Sequence, residues 1–174
     1  MPLTTYTAGE VLTAASLNAN FTFAAKNVQI VSTITGAVAT GTTQIPMDDT
    51  IPQNTEGDQY MSLAITPTSA TNILIIQASV VISSSGGSGY MSSALFQDST
   101  ANALAVVTET SVGATEFVTL TFNFKMAAGT TSATTFKIRC GLDRAGTTTF
   151  NGYNGNRKFG GVMGSSIIIT EYPQ

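Results

Sequence analysis

Few residues in this chain are suited to making or breaking bonds. It has no histidine, so the side chain that most often serves as a general base near neutral pH is missing, and with it a Ser-His-Asp triad and any imidazole metal site. Carboxylates are what remain. Asp48 and Asp49 are adjacent, and Glu56 lies close to Asp58; such pairs could flank a glycosidic bond or lend oxygens to calcium. The Asp-x-Asp-x-Asp-Gly pattern of a calcium loop is absent, however, and these acids read first as solubilising charges. Cys140, the single cysteine, allows no intrachain disulfide. It falls at an inward position of an alternating run, where it reads as a small buried hydrophobe and not as a nucleophile. The glycines of SSSGGSGY, residues 83–90, fit neither GxGxxG nor a Walker loop, and read as a flexible hairpin or tip loop. The expectation is a protein that is not an enzyme, with no catalytic residue, no cofactor and no metal ligand.

Recognition chemistry is better represented. Residues 149–159, TFNGYNGNRKF, gather Asn151, Tyr153, Asn154, Asn156 and Arg157. Tyrosine offers a flat stacking face, asparagine adaptable hydrogen bonds and arginine a planar fork, a combination that suits sugars or protein surfaces. Tyr90, just past the other glycine-rich loop, joins them as a contact candidate. Asn-Gly pairs are also what tight hairpin turns require, so both readings stand at this point.

Composition narrows the class. Hydrophobic residues make up 43% of the 174 and charged residues only 10%, well under the roughly 25% usual for soluble domains. Thr, Ser, Asn and Gly must therefore cover much of the surface, and they favour strands and turns. A surface this poor in charge also suits burial between subunits. The net charge of −3 and the lone basic pair Arg157-Lys158 argue against nucleic acid, which demands clustered cations. Neither a secretory leader nor an apolar run long enough to cross a bilayer is read, so synthesis in a cytoplasm without membrane insertion is expected.

The elements that must position these residues are strands. The most apolar stretch is NILIIQASVVI, residues 72–82, with Ile73, Ile75 and Val81 of one parity and Leu74, Ile76, Val80 and Ile82 of the other. A strand with one wet face should alternate, so its second face is expected to be covered, within the domain or by another copy of the chain. TEFVTLTFNFKM, residues 115–126, alternates cleanly, with Val118, Leu120, Phe122, Phe124 and Met126 on one side. Eight strands are predicted, at 59–65, 72–82, 90–97, 103–109, 115–126, 134–140, 148–151 and 166–172. The last is apolar on both faces like 72–82, and the two are expected to be neighbours. With no helix between them, these strands predict an all-β fold, an antiparallel two-sheet jelly-roll sandwich.

A short α-helix is predicted before it. Thr7 and Glu10 have capping-box spacing, and Thr13 can cap a helix starting at Ala14. Ala14, Leu17, Phe21, Ala24, Val28 and Val31 then recur at steps of three and four, a heptad seam that calls for partner helices or a docking surface. Residues 36–57, with glycines, threonines and two prolines, read as a stiffened linker, with room for a short strand at 42–45. The division expected is an N-terminal segment at 1–35, this linker, and a β head at 58–174.

The stretch TYTAGEVLTAASLNANF, residues 5–21, resembles the N-terminal segment of many tailed-bacteriophage fibre and spike proteins. It covers about a tenth of the chain, and departs at Ser16, where an acidic residue is frequent. The resemblance implies a virion-anchoring role carried by Glu10, Val11, Leu12, Leu17, Asn20 and Phe21. The β portion is similar, more loosely, to the small jelly-roll heads of phage fibres, through ITPTSATNILI (65–75), ALFQDSTANALA (94–105) and GNRKFGGVMGSSIIITEY (155–172). Those heads resemble tumour-necrosis-factor-like folds and are commonly trimers. What the resemblance implies is a homotrimeric tail fibre or tailspike of the virion, held to other virion proteins by its N-terminus and binding a host cell-surface glycan or protein receptor. A capsid decoration or head-fibre protein without receptor binding is the alternative, and a polysaccharide-degrading spike a lesser one.

Overall fold

Alternating apolar residues oblige a chain to build two sheets and hide their facing sides, and that is the architecture found. The computed structural model describes residues 5–11, 13–18, 29–113 and 116–174. In chain order the strands are β1 (Gln29–Thr35), β2 (Ala39–Gly41), β3 (Asp58–Ile65), β4 (Ile73–Ser84), β5 (Gly89–Gln97), β6 (Ala105–Ser111), β7 (Phe117–Ala127), β8 (Thr134–Leu142), β9 (Thr148–Phe150), β10 (Gly152–Tyr153), β11 (Asn156–Arg157) and β12 (Ser165–Tyr172), with one 3-10 turn at Phe159–Gly161. One sheet runs β1-β12-β4-β7, with β9 and β2 continuing it past the ends of β12 and β1; the other runs β3-β8-β5-β6. The pairings within both sheets are antiparallel. The chain crosses between the sheets from β2 to β3, β3 to β4, β4 to β5, β6 to β7, β7 to β8 and β8 to β9, giving the expected jelly-roll sandwich.

The core lies between the sheets. Leu74, Ile76, Val80 and Ile82 of β4, Leu120 and Phe122 of β7, and Ile167 and Ile169 of β12 meet Phe136 and Ile138 of β8 and Met91 and Leu95 of β5. Tyr60 stacks on Phe150 with ring centroids 5.0 Å apart. Cys140 is buried among them; burial pushes its thiol up to about 12, against a weaker opposing hydrogen bond with Ser93, so it carries no thiolate at neutral pH. The expected neighbours β4 and β12 do pair, from Ile73 opposite Tyr172 to Ser79 opposite Ser166.

Two sequence expectations need correction. Val31, counted as the last position of the helical seam, belongs to β1, which pairs with β12 from Gln29 opposite Glu171 to Thr35 opposite Ser165. Five of the seven residues Gln29 to Thr35 are β-branched (Ile30, Val31, Thr33, Ile34 and Thr35), a composition that favours a strand; Val31 packs on the core while Ile30 and Ile34 face out. Residues 36–57, expected to be a stiffened linker, also pack on the head. They hold β2, and Ile45 is 2% exposed, packed on Ala94 and Phe96 across the outer side of the second sheet. That is why β5 is buried on both faces.

Hydrogen bonds pin this excursion in place. Thr43 donates through N–H and Oγ1 to Asp58, both at 2.9 Å, Ile45 N–H to Leu142 O at 2.9 Å, and Arg139 to the carbonyls of Glu56 and Gly57 at 2.8 and 2.7 Å. Gly57 has φ +63°, and a Cβ there would lie 2.8 Å from Ile45 Cδ1 and 2.9 Å from Cys140 O, so only glycine fits. Of the acids weighed above for calcium or sugar cleavage, Asp58 holds Thr43, Asp48 accepts from Thr50 N–H at 2.8 Å and Glu56 from Gln53 N–H at 3.0 Å. At the N-terminus, Thr13 Oγ1 accepts from Ser16 N–H at 3.2 Å and caps the helical residues 14–18, as expected. Thr7 N–H donates to Glu10 Oε2 at 3.1 Å.

Two outcomes follow from this packing. Phe136→Ala should lower stability by about 3–5 kcal/mol, read as a reduced urea midpoint. A thiol-reactive disulfide reagent should leave Cys140 unmodified in the folded protein and label it fully in denaturant; rapid labelling of the native state would contradict the burial.

Candidate interaction surfaces

The contact candidates fall at one end of the sandwich. The register sets Ser83 opposite Phe117 and Ser84 opposite Thr148, Gly89 opposite Ser111, and Met91 opposite Leu142. Residues 85–88, 112–113 and 143–147 therefore converge there, beside the β10–β11 hairpin. Tyr153 and Asn156 pair across that hairpin; Asn154 and Gly155 between them have φ of 48° and 72°, the left-handed pair of a two-residue type I′ turn. The Asn-Gly signal is thus a turn signal first, and the turn leaves Asn154, Asn156 and Arg157 exposed.

Tyr153 is half-buried and braced. Its ring lies 5.6 Å from that of Phe117, tilted by 40°, and Lys158 Nζ sits 5.5 Å from its centroid, within cation–π range. Tyr90 lies across the sandwich in β5, also half-buried. Its N–H donates to Asp143 Oδ1 at 2.9 Å and its carbonyl accepts from Arg144 Nη1 at 3.3 Å. Burial pushes the Asp143 carboxyl up, but the hydrogen bonds from Tyr90 and Arg144 and the guanidinium charge outweigh it and hold it below the ordinary range. Arg144 also donates to the Gly87 carbonyl, tying the glycine-rich loop 85–88 to the β8–β9 connection.

Asn151 is not a contact residue. It is 0% exposed and stitches the sheet where β1 gives way to β2 and β12 to β9. Its Nδ2 donates to Thr35 O at 2.7 Å and Ala37 O at 3.3 Å, its Oδ1 accepts from Ser165 Oγ at 2.7 Å, and its N–H reaches Val81 O at 3.0 Å. With φ of 51° it fills a left-handed position that asparagine tolerates. Sequence offers no sign separating it from Asn154, because both precede glycine.

Residues beyond the predicted set also stand out here. Phe159, with φ of 48°, is 74% exposed and Val162 87%; a bulky side chain in the left-handed region is unusual. The two lie on a glycine-rich turn packed against the end of β1, where a Cβ on Gly36 would collide with Gly161 O. The turn glycines were the only legible signal.

A second surface is the outer side of the first sheet. Register places Ile30 and Ile34 of β1, Ile168 and Tyr172 of β12, and Ile73, Ile75 and Val81 of β4 on it. Ile34 is 76% and Ile30 62% exposed. Between them are Ser, Thr, Gln and Asn, and among the outward residues of these three strands and β7 the single charge is Lys125. Among the described residues, the second parity of residues 72–82 (Ile73, Ile75 and Val81) is only half-buried.

Of the anchor and seam candidates, Glu10 and Val11 are exposed, and Ala14 and Leu17 lie in the helical residues 14–18. Leu12, Asn20, Phe21, Ala24 and Val28 lie outside the described residues. Among the described residues no group of three or more acidic or cysteine side chains is placed to hold a metal ion.

No protein-family model matches the chain, and no curated protein does. Solved structures that the chain is similar to include Eiger, a TNF of S. frugiperda, at 7% identity and TM-score 0.47, covering 83% of this chain and 94% of that one. The C-terminal domain of EclA, a sugar-binding protein, aligns at 15% identity and TM-score 0.37, covering 68% and 76%. Tailspike protein 4 of bacteriophage CBA120 aligns at 16% identity and TM-score 0.30, covering 72% of this chain and 18% of that one. The class the strand order defines is the antiparallel jelly-roll sandwich.

The two asparagines of the glycine-rich stretch should separate on mutation. Asn151→Ala, which strands buried partners, should cost about 2–3 kcal/mol, whereas Asn156→Ala on the exposed hairpin should stay within about 0.5 kcal/mol, compared by chemical denaturation.

Proposed function

We propose that the protein is a virion structural protein of a tailed bacteriophage, a homotrimeric tail fibre or spike. Its N-terminal segment fastens it to other virion proteins and its β head meets a host cell-surface glycan or protein. The observation that carries this reading is the outer face of the β1-β12-β4-β7 sheet, apolar across three strands and bearing one charge on its outward side. Exposed faces of this kind mark association sites, and burial against other copies gives the second parity of residues 72–82 its cover. The resemblance of residues 5–21 to phage fibre anchors supplies the particle, and the capped helix start at Thr13 fits a short docking element.

Under this reading the head is adhesive and not catalytic, consistent with the lack of histidine. The exposed Asn154, Asn156 and Arg157, with Tyr153 and the projecting Phe159 beside them, form the host-facing set at one end, and β1 enters from the other. Rigid strands presenting loops is the usual arrangement for recognition.

Light scattering at two concentrations is the test. A mass near three times the 18.0 kDa chain that survives dilution is expected, and Ile75→Lys, which sets an ammonium in the apolar face, should reduce it to one chain without loss of β signal. A wild-type monomer would overturn the assembly. Removing residues 1–28, which spares β1, should leave a folded head that no longer enters particles; labelled protein found on capsid hexamers would favour the decoration alternative.

A further inference from the structure

The end of the sandwich that carries the β10–β11 hairpin has two cations and no acid to answer them. Residues 144–170 hold no Asp or Glu. Of the acids nearby, Asp143 is paired with Arg144 and Glu116 accepts from Val112 N–H at 2.7 Å. Among the described residues, Arg157 and Lys158 therefore have no carboxylate within ion-pair distance. Lys158 lies over the Tyr153 ring, whereas Arg157 is exposed. Its side chain nevertheless has a fixed course: a Cβ built on Gly161 would lie 3.1 Å from Arg157 Cδ and 3.5 Å from its Nη1. The guanidinium is thus laid along the turn that carries Phe159.

That turn holds its phenylalanine in an unfavourable state. Phe159 has φ of 48° and is 74% exposed, so a strained backbone is kept without the return that burying the ring would give. The surroundings enforce it. Gly161 N–H donates to Lys158 O at 3.0 Å and Val162 N–H to Phe159 O at 3.2 Å, and Gly161 O stands against Gly36. Strain imposed in this way gathers at ligand clamps. Tyr153 is already engaged by Phe117 and Lys158, so the open aromatic face at this end is that of Phe159.

We propose that Phe159 and Arg157 form a binding site for an acidic sugar, a saccharide whose ring bears a carboxylate as a uronic acid does. The C–H face of the sugar rests on the phenyl ring, and the carboxylate takes the guanidinium fork through two parallel hydrogen bonds. Asn154 and Asn156, exposed on the same hairpin, face the hydroxyls. A phosphate would use the fork and leave the ring idle; a neutral sugar would leave both cations unanswered. The inference rests on the adhesive reading above and names what the head adheres to. One such contact is shallow and weak, and several copies in one particle strengthen it by multivalency.

The full-length protein would be titrated by calorimetry with oligogalacturonate and oligoglucuronate, with their methyl esters, which keep the ring and lose the charge, and with glucose 6-phosphate. An acidic oligosaccharide should bind, and its ester and the phosphate should bind about tenfold more weakly or less. Arg157→Ala and Arg157→Lys should each lose about tenfold, because an ammonium cannot form the fork. Phe159→Gly should lose binding while the melting temperature holds or rises, since glycine takes this φ without strain; the loss then cannot come from unfolding. No binding of either acid, equal binding of ester or phosphate, or an Arg157→Lys variant as tight as the wild type overturns the site. A wild-type chain that still adheres to host cells in excess of both acids overturns the acidic sugar and leaves adhesion standing. One that never adheres overturns the adhesive reading, and this inference with it.

Discussion

Everything in the head hangs on β4 being hydrogen-bonded along both edges. β7 follows one edge from Ile73 to Ser83, and the other is shared end to end by β12 and β9. A strand so placed has no freedom of register: a slip of one residue would turn Leu74, Ile76, Val80 and Ile82 out of the core and bring Ile73, Ile75, Gln77 and Ser79 in. Its inner face then fixes what must pack opposite, and Phe136, Ile138 and Leu95 of the other sheet supply it. The shared edge creates the main weakness, a gap where β12 ends and β9 begins. Asn151 and Ser165 close it with side-chain hydrogen bonds, spending buried polar groups where ladder bonds run out.

How far the sequence discloses this depends on which signal each segment carries. β7 and β8 are read almost to the residue because strict alternation is unambiguous. β4 and β12 are placed side by side from shared two-faced apolarity alone. β1 is misread because six apolar residues at steps of three and four run into it, and Val31 satisfies both a heptad and a strand period; the pairing with β12, a contact across more than a hundred residues, decides between them, and no local pattern contains that. The excursion 36–57 looks like a spacer by composition, since its one core residue, Ile45, stands among prolines, glycines and acids. In the recognition stretch, Asn154 and Asn151 are indistinguishable as letters, yet one lies in an exposed turn and the other is fully enclosed.

The scarcity of charge takes on a second meaning once the side chains are placed. Arg139 grips the carbonyls of Glu56 and Gly57, Arg144 those of Tyr90 and Gly87, and Lys137 that of Asp98. Asp58, Asp98 and Glu171 accept from backbone N–H groups. These charges are fasteners for irregular backbone, which must find partners wherever the ladder does not reach. Many of the described ionic groups are tied to backbone in this way, and the outer face of the β1-β12-β4-β7 sheet is left, Lys125 apart, to Thr, Ser, Asn and apolar side chains. Such a surface is a poor one for a protein living alone in solution, where interspersed charge resists association, and a good one for a subunit whose faces are closed by its own copies.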